Sequence, residues 1–205
     1  AVLSKAPGGP ETLVVEEVLD PRPMKGEVVI EVRAIGVNFP DTLIIEDKYQ
    51  FKPTRPFSPG GEVAGVVEAV GEGVTRWKVG DEVVVHCNQA SYEDVEVHGL
   101  DPMAAPSQRI WGYETTWGSF AQFTKVQAQQ LLPRPKNLSW AEASSYGLTY
   151  FTAYRMLMDQ AKIQPGANVL IWGAAGGLGV FAVQLCKAAG ANAVGVVSSD
   201  EKGEL

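Results

Sequence analysis

Residues 168–179, Asn-Val-Leu-Ile-Trp-Gly-Ala-Ala-Gly-Gly-Leu-Gly, are the stretch that decides the fold. They begin with a short apolar run, Val169 to Trp172, whose length and composition predict a fully buried parallel strand. A helical pattern follows, and a second apolar run begins at Ala193 and ends at Val197. Strand, glycine turn, helix and strand in this order predict the first unit of a dinucleotide-binding fold.

Glycines occupy positions 173, 176, 177 and 179, between the first strand and the helix. A diphosphate needs bare backbone N–H groups and a helix N-terminus directed at it, and side chains at the turn would block its approach. Gly179 is expected to let the helix pack closely on the strand. A tight turn that binds no ligand is the alternative for the whole segment. The predicted cofactor-binding residues of the turn are Gly173, Ala174, Ala175, Gly176, Gly177 and Leu178.

The residues after the second strand indicate which dinucleotide is bound. NAD sites usually carry an acid here for the ribose 2′-hydroxyl, whereas a 2′-phosphate favours hydroxyls and a cation. This chain has Ser198 and Ser199 at the strand tip and Lys202 one turn later, so we expect NADPH. Asp200 and Glu201 argue mildly the other way, although both also suit the first turn of a helix. A serine N-cap is the alternative for this segment, and it is compatible with cofactor binding.

Length and composition limit the possible classes of protein. The 205 residues can bury a substantial core, and 45% hydrophobic with 20% charged residues is typical of a soluble globular protein. A net charge of −7 disfavours general binding to nucleic acid or anionic membranes. No apolar run approaches the roughly 20 residues that span a bilayer, and no secretory signal is visible. Two cysteines form neither a disulfide framework nor a zinc cluster, so we expect a reducing cytoplasm.

The first part of the chain has the pattern of a β-rich domain. Short strand-like runs alternate with proline- and glycine-rich turns, which predicts a compact barrel or sandwich. Ser139 and Glu142 form a capping box that opens a helix, and a second helical run is expected from Leu148 to Met158. We therefore predict a β-rich domain over residues 1–130 and the start of the dinucleotide-binding domain over residues 131–205. The predicted strands cover residues 13–18, 27–34, 61–70, 81–86 and 119–126.

Five short motifs stand in order along the chain: Gly36–Asp41, Pro59–Gly65, Val79–Val83, Gly118–Gln122 and Thr152–Tyr154. Together with the glycine turn, they resemble the motifs of the medium-chain dehydrogenase/reductases over essentially the whole chain. The resemblance implies a fold of the α/β plus β class. A GroES-like β-rich domain would be followed by the first part of a Rossmann doubly wound parallel sheet, with the active site in the cleft between them.

Within this family the zinc-dependent branch is not expected. Zinc alcohol dehydrogenases place a cysteine where this chain has Asn38 and a histidine where it has Gly61, and a catalytic zinc needs three protein ligands. His86 and His98 do not restore such a set, and the four-cysteine structural lobe is missing. No metal site is therefore predicted. The zinc-free branch contains quinone reductases, 2-enoyl thioester reductases and crotonyl-CoA carboxylase/reductases.

The two parts of the chain resemble different members of that branch. Residues 1–84 are most similar to bacterial quinone reductases, and residues 85–205 to crotonyl-CoA carboxylase/reductases, a mosaic that an intermediate subfamily or an engineered chimera would give. The resemblance implies NADPH-dependent reduction of the C=C bond of a short-chain 2-enoyl-CoA thioester, of the acrylyl- or crotonyl-CoA class. NADPH:quinone oxidoreductase is an alternative. An alternative of another class is an inactive fragment that acts as a nucleotide-binding or assembly module.

The resemblance also implies catalytic roles for individual side chains. In similar reductases an Asn at the position of Asn38 lies near the nicotinamide and its ribose, although a turn-forming Asn is the alternative. Tyr49 has the spacing from Asn38 of the tyrosine that protonates the enolate or holds the thioester oxygen in enoyl thioester reductases. A phenol suits either role because it donates a hydrogen bond to developing negative charge. The alternative for Tyr49 is an exposed loop aromatic.

Tyr113 and Glu114 match an aromatic–Glu pair that helps form the CO2 pocket of carboxylating reductases, together with an Asn and a His. The Asn position here is Pro40, which has no amide, and the His would lie beyond Leu205. Carboxylation is therefore not the predicted main reaction. A salt bridge or a capping role is the alternative for Glu114. Thr152 is a further cofactor candidate, although a helix with one exposed hydroxyl is equally consistent with its position.

The chain ends just after the second dinucleotide-binding strand, whereas a full Rossmann sheet needs about six strands. We therefore expect a truncated domain with uncovered sheet edges and apolar surface. When complete, the enzyme is expected to bind an acyl-CoA thioester and to form a homo-oligomer in the cytoplasm, without nucleic acid or membrane partners.

Overall fold

The computed structural model describes residues 1–204, which divide into two compact units. The first unit runs from Ala1 to Gly147, and the second begins at Leu148. Leu205 lies outside the described residues. The expected change of domain between residues 130 and 131 stays a prediction.

Short strands and helices joined by turns make up residues 1–204. The strands are β1 Val2–Leu3, β2 Val14–Val15, β3 Glu27–Gly36, β4 Glu62–Val70, β5 Glu82–Val85, β6 Asn88–Gln89, β7 Arg109–Ile110, β8 Phe123–Gln127, β9 Leu131–Pro133, β10 Asn168–Trp172 and β11 Asn192–Val196. The α-helices are α1 Phe39–Ile45, α2 Trp140–Ala143, α3 Thr149–Tyr154, α4 Gly177–Ala188 and α5 Asp200–Gly203. Turns of 3-10 helix occupy Pro10–Thr12 and Ala128–Gln130, and π-helical turns occupy Glu93–Val97 and Arg155–Gln160.

A five-stranded antiparallel sheet in the order β8-β3-β4-β5-β9 forms the centre of the first unit. Its strands are rich in valine, whose β-branched side chain packs well on a pleated sheet. The β-rich first part that the sequence predicts is therefore confirmed. The core of this unit consists of Val28, Ile30, Val63, Val67, Val83, Val85, Trp111, Val126 and Leu131.

Two of the predicted strands lose several residues at one or both ends. The run at 13–18 pairs only at Val14–Val15, with β1. The run at 119–126 joins the sheet only from Phe123. The N–H groups of Ser119 and Phe120 donate instead to the carbonyls of Gly60 and Pro59, at 2.9 and 3.1 Å. Local turn contacts thus replace the sheet ladder at the start of this run.

In the second unit β10 and β11 are parallel, with Asn168 opposite Asn192 and Trp172 opposite Val196. Helix α4 connects them and packs on the sheet through Ala182, Leu185 and Cys186, which surround Ile171. The predicted order of strand, glycine turn, helix and strand is confirmed.

The prediction that Val169–Trp172 is fully buried is wrong. Ile171 is 7% exposed, but Leu170 is 59% and Trp172 is 77% exposed. Successive side chains of a strand point to opposite faces, and the face of Ile171 is the one that packs on α4. The opposite face of this small sheet leaves apolar side chains exposed.

Both predicted helical segments before the second sheet are present. The capping box of α2 forms, with the Ser139 N–H donating to Glu142 Oε2 at 2.8 Å, although this helix has only 4 residues. Helix α3 begins at Thr149 and continues into the π-helical turn Arg155–Gln160.

The end of β3 brings three polar residues of the first unit together. Gly36, the last residue of β3, is paired with Glu62, the first residue of β4. Two residues later the chain enters α1 through Asn38, whose main-chain N–H donates to Asp41 Oδ2 at 2.7 Å. Asn38, Asp41 and Glu62 therefore lie side by side at one end of the sheet.

Candidate functional site

The glycine turn of the second unit joins β10 directly to α4. Gly173 has a φ of 65°, a left-handed conformation that favours glycine. The Gly176 N–H donates to the Gly173 carbonyl at 2.8 Å, and Gly176 is the N-cap of α4. The first intrahelical bond runs from the Val180 N–H to the Gly176 carbonyl, at 2.9 Å. The N–H groups that precede it in the first turn lack intrahelical acceptors, which makes this helix end suited to an anion.

Two glycines allow close packing around this turn. A Cβ at Gly179 would lie 2.3 Å from the Gly173 carbonyl oxygen, so this glycine lets α4 approach the turn that directly follows β10. A Cβ at Gly195 would lie 2.8 Å from the Ala174 Cβ. Sequence reasoning missed Gly195, although a glycine inside an otherwise apolar strand signals a close approach of another segment.

At Gly176 and Gly177 the turn is more open. A Cβ at Gly176 would meet only the Gly173 carbonyl, at 3.2 Å, and one at Gly177 only the Thr149 Cγ2, at 3.7 Å. Leu178 is 38% exposed on the next position of the helix. The predicted diphosphate-binding residues therefore form one open turn at the start of α4.

The predicted 2′-phosphate residues also lie together, at the end of β11. Ser199 is the N-cap of α5, with its Oγ accepting from the Lys202 N–H at 3.4 Å. The Lys202 ammonium donates to Ser198 Oγ at 3.1 Å. All three side chains are exposed. The serine N-cap thus exists, and it holds a lysine ammonium beside a serine hydroxyl at the surface.

Thr152 is exposed on α3, and its hydroxyl donates to the Leu148 carbonyl at 2.7 Å. This internal bond fits the expectation of a helix with one exposed hydroxyl. A role of Thr152 in cofactor binding stays a prediction.

In the first unit, the second group of candidates surrounds Asn38. The Asn38 Nδ2 group donates to Glu62 Oε2 at 2.8 Å. Glu62 is 2% and Asp41 is 4% exposed, so two carboxylates are buried beside one amide. Burial raises the pKa of the Asp41 carboxyl to about 6; the hydrogen bond from Asn38 opposes this shift and the charge of Glu62 adds to it.

Tyr113 is buried over this cluster, with 1% of its surface exposed. Burial is the main cause that raises its pKa, and the charge of Asp41 is the next. Neither the Tyr113 hydroxyl nor Asp41 Oδ1 has a partner within hydrogen-bonding geometry among residues 1–204. The two groups nevertheless lie close enough for each to shift the pKa of the other.

Tyr49 lies beside Tyr113, with their ring centroids 5.8 Å apart and their planes tilted by 52°. Its side chain is half-buried, so Tyr49 is not a fully exposed loop aromatic. Burial raises the pKa of the Tyr49 phenol, and the charge of Glu114 and then that of Cys87 add to the effect. The structure therefore brings Tyr49, Tyr113 and Glu114 into one neighbourhood.

Glu114 is half-buried, and its Oε2 accepts a hydrogen bond from the Ile110 N–H at 2.8 Å. This contact closes the turn after β7 and fits the capping alternative. One carboxylate oxygen of Glu114 is therefore engaged in a hydrogen bond within the protein.

Asp41 and Glu62 are the site residues that sequence reasoning missed. A signal for Glu62 is an acid at the start of a valine-rich strand, where burial of a lone charge costs energy unless it is hydrogen-bonded. A signal for Asp41 is its position three residues after Asn38, where an acid can accept the N-cap N–H of a helix.

No group of three or more His, Cys, Asp or Glu side chains in residues 1–204 is arranged to hold a metal ion. The absence of a metal cofactor stays a prediction. The helices of the described chain are too short or too polar to cross a membrane.

The alcohol dehydrogenase GroES-like domain family matches residues 24–136. This chain belongs to that family. The expected relationship to the medium-chain dehydrogenase/reductases is confirmed, and the GroES-like domain followed by a partial Rossmann-like sheet agrees with the predicted fold class.

The chain is 50% identical over 202 residues to the crotonyl-CoA carboxylase/reductase of Cereibacter sphaeroides, a match that covers 94% of this chain and 46% of that protein. It is 33% identical over 199 residues to the quinone oxidoreductase of Rattus norvegicus, covering 97% and 52%. A solved structure of 2-octenoyl-CoA carboxylase reductase CinF, in complex with NADP and 2-octenoyl-CoA, is similar with a TM-score of 0.85 and 36% identity, covering 94% and 47%. The chain thus spans about half the length of these relatives.

Proposed function

We propose that this protein is an NADPH-dependent oxidoreductase that reduces the C=C bond of a short-chain 2-enoyl-CoA thioester, of the acrylyl- or crotonyl-CoA class. The 50% identity to a crotonyl-CoA carboxylase/reductase, which extends over both units, is the observation that carries this proposal. The homo-oligomeric state, the cytoplasmic location and the absence of nucleic acid or membrane partners belong to the same proposal for the complete protein.

The second unit fits the diphosphate of a dinucleotide. Helix α4 begins with N–H groups that have no intrahelical acceptors, and the turn before it has no side chain larger than a methyl group from 173 to 177. Ser198, Ser199 and Lys202 offer hydroxyls and a cation for a 2′-phosphate. When bound, NADPH supplies the hydride for the reduction.

In the first unit Tyr49 is our candidate for the proton donor. Hydride addition at the β-carbon of the thioester leaves an enolate. The Tyr49 O–H bond then breaks as its proton forms a C–H bond at the α-carbon, and solvent reprotonates the phenolate. A phenol is already protonated at neutral pH at its ordinary pKa, and burial raises that pKa further, so Tyr49 is a neutral hydroxyl that can donate. Asn38 orients the nicotinamide end of the cofactor, with Tyr113 and Glu114 beside Tyr49.

The main product proposed is the saturated thioester, even in the presence of bicarbonate. Pro40 has no amide with which to hold CO2. Glu114 has one oxygen committed to the Ile110 N–H.

The similarity to a quinone oxidoreductase supports a second candidate, NADPH:quinone oxidoreductase. A third candidate of another class is a non-catalytic piece that binds nucleotide or assists assembly. The uncovered apolar face of the second sheet favours this candidate, because Leu170 and Trp172 are available to a partner.

One assay separates the three candidates. NADPH oxidation is followed at steady state with crotonyl-CoA, with acrylyl-CoA and with a quinone, for the 205-residue chain and for any longer polypeptide that its reading frame encodes. Turnover of the thioesters supports the proposal, and mass spectrometry in labelled bicarbonate reports the product. Turnover of the quinone without turnover of either thioester would contradict the proposal and support NADPH:quinone oxidoreductase. NADPH binding without turnover of any acceptor would favour the third.

A further inference from the structure

Glu62 is a buried carboxylate in contact with Asn38. It is only 2% exposed, although the residues that follow it in β4 are almost all apolar. Its Oε2 accepts a hydrogen bond from Asn38 Nδ2 at 2.8 Å. After burial, the charge of Glu62 is the next cause that raises the pKa of Cys87. For Tyr113 burial and the charge of Asp41 come first, and the charge of Glu62 adds the smallest contribution.

The sheet leaves room for this carboxylate at Gly36. Gly36 is the residue opposite Glu62 across β3 and β4. A Cβ at Gly36 would come within 2.1 Å of Glu62 Oε2. Any larger residue there would displace the carboxylate, so the glycine and the acid form one structural unit that places an acceptor beside Asn38.

Asn38 is fixed from two sides by carboxylates. Asp41 Oδ2 accepts its main-chain N–H at 2.7 Å, and Glu62 accepts its side-chain amide. An ionised carboxylate can only accept hydrogen bonds, whereas a carboxamide has one donor end and one acceptor end. The NH2 end of Asn38 must therefore face Glu62. Asn38 Oδ1 lies toward the N3 N–H of α1 in the capping box, and its second lone pair is the acceptor that remains for a ligand.

We propose that Glu62 is a positioning residue, which holds the Asn38 carboxamide with its oxygen toward the ligand, so that this position accepts a hydrogen bond from a donor group. The identity of that donor rests on the proposed function. It is a hydroxyl or an amide N–H at the nicotinamide end of NADPH, because these are the donors that this end of the cofactor carries.

An exchange of donor and acceptor tests the orientation. Asn38→Asp alone places two carboxylates together and removes their hydrogen bond. The double variant Asn38→Asp with Glu62→Gln restores it in reverse, since the introduced glutamine donates to the introduced aspartate, and an oxygen still faces the ligand. We expect Asn38→Asp to raise the Kd for NADPH by about tenfold or more, and the double variant to recover to within about threefold of wild type.

Thermal unfolding of the same variants separates orientation from folding. Recovery of both Tm and Kd in the double variant supports the proposal. Recovery of Tm with a Kd as weak as that of Asn38→Asp would overturn it, because the ligand would then need the NH2 group. Glu68→Gln is the matched control, since Glu68 is an exposed acid of the same strand, and it should leave both values unchanged.

A cofactor-free measurement keeps this inference distinct from the proposed function. The Asn38 side-chain amide signal in NMR is assigned by its loss in Asn38→Asp. Its protons should exchange with solvent at least about threefold faster in Glu62→Gln than in Glu68→Gln, because a glutamine permits both orientations of the amide. Equal exchange rates would overturn the role of Glu62. Slow exchange in a wild type that binds no NADPH would instead refute the proposed function alone.

Discussion

The glycine turn and the polar cluster around Asn38 are built on opposite principles. The turn at 173–179 is open and offers main-chain N–H groups, and its side chains matter mainly by being small. The cluster is buried and consists of side chains from separate segments, with Asn38, Glu62 and Tyr113 far apart in the chain. The turn is therefore specified locally, whereas the cluster exists only after the sheet has formed.

This difference decides what a mutation should do. At Gly176 and Gly177, where an added Cβ would meet one atom at 3.2 Å or more, a substitution changes access to the ligand and leaves the rest of the fold in place. In the cluster, a substitution changes burial, charge and orientation at once, so its effects on stability and on function have to be measured separately.

The largest effect is expected at Gly176. Gly176→Asp places a carboxylate where the diphosphate should bind, and charge repulsion and bulk should lower NADPH affinity by at least about 100-fold. Gly176→Ala separates the two causes, since its Cβ meets only the Gly173 carbonyl at 3.2 Å. Ala161→Asp, an exposed site with the same charge change, is the control in a titration followed by NADPH fluorescence. Unchanged affinity in Gly176→Asp would remove the turn from the proposed cofactor site.

The next effect tests the cluster through Tyr49. Loss of one well-placed donor to an oxyanion typically costs about 2.7–4 kcal/mol, or roughly 10²–10³ in rate. Tyr49→Phe should lower turnover of crotonyl-CoA by about this factor, with NADPH affinity near that of wild type. Tyr92→Phe, a tyrosine elsewhere in the first unit, is the control. If Tyr49→Phe turns over normally, the proton comes from Tyr113 or from solvent.

A smaller effect concerns the stability of the cluster. The pKa of Asp41 is raised from 3.8 to about 6 in the folded protein, so folding favours its protonated form. The associated stability is present below pH 4 and is lost as the pH rises through 6. A shift of about two units corresponds to about 3 kcal/mol at most.

Asp41→Asn should abolish this pH dependence, because an amide does not titrate in this range and still accepts the Asn38 N–H. The difference in unfolding free energy between variant and wild type, from denaturant titrations at pH 4 and pH 7, isolates Asp41 from the other carboxylates. We expect the variant to gain relative stability at pH 7. A difference that is the same at both pH values would contradict the raised pKa.

The sequence predicted the turn well because its rules are local. Glycine at 173, 176 and 179, an apolar run before them and a helical pattern after them were sufficient to place β10, α4 and β11 in order. The burial of Val169–Trp172 was overestimated. A strand pattern does not reveal whether the second face of its sheet is covered.

The cluster was predicted only in part. Asn38, Tyr49, Tyr113 and Glu114 were identified through a resemblance, and the structure places the last three near one another. Glu62 and Asp41 were missed because their importance follows from burial and from contact with Asn38. Neither property can be deduced from a strand pattern, in which an acid at the first position is equally compatible with an exposed end.

The smallest effect is expected for substitution of Lys202, an exposed residue of the second unit. Its ammonium donates to Ser198 Oγ at 3.1 Å, and both groups are exposed at the end of β11. If they hold the 2′-phosphate, Lys202→Ala should raise the Kd for NADPH by about tenfold, the value of one charge-assisted hydrogen bond. The Kd for NADH should not change, because NADH has no 2′-phosphate.

Lys187→Ala is the matched control, since Lys187 is an exposed lysine at the other end of α4. A titration at increasing ionic strength adds a second test, because salt screens exposed ion contacts. The preference for NADPH over NADH should decrease with ionic strength in wild type but not in Lys202→Ala. An equal loss for both cofactors would assign Lys202 to the fold of α5. Tighter binding of NADH than of NADPH by wild type would overturn the 2′-phosphate site. Asp200 and Glu201 would then be the candidates for a hydrogen bond to the ribose 2′-hydroxyl.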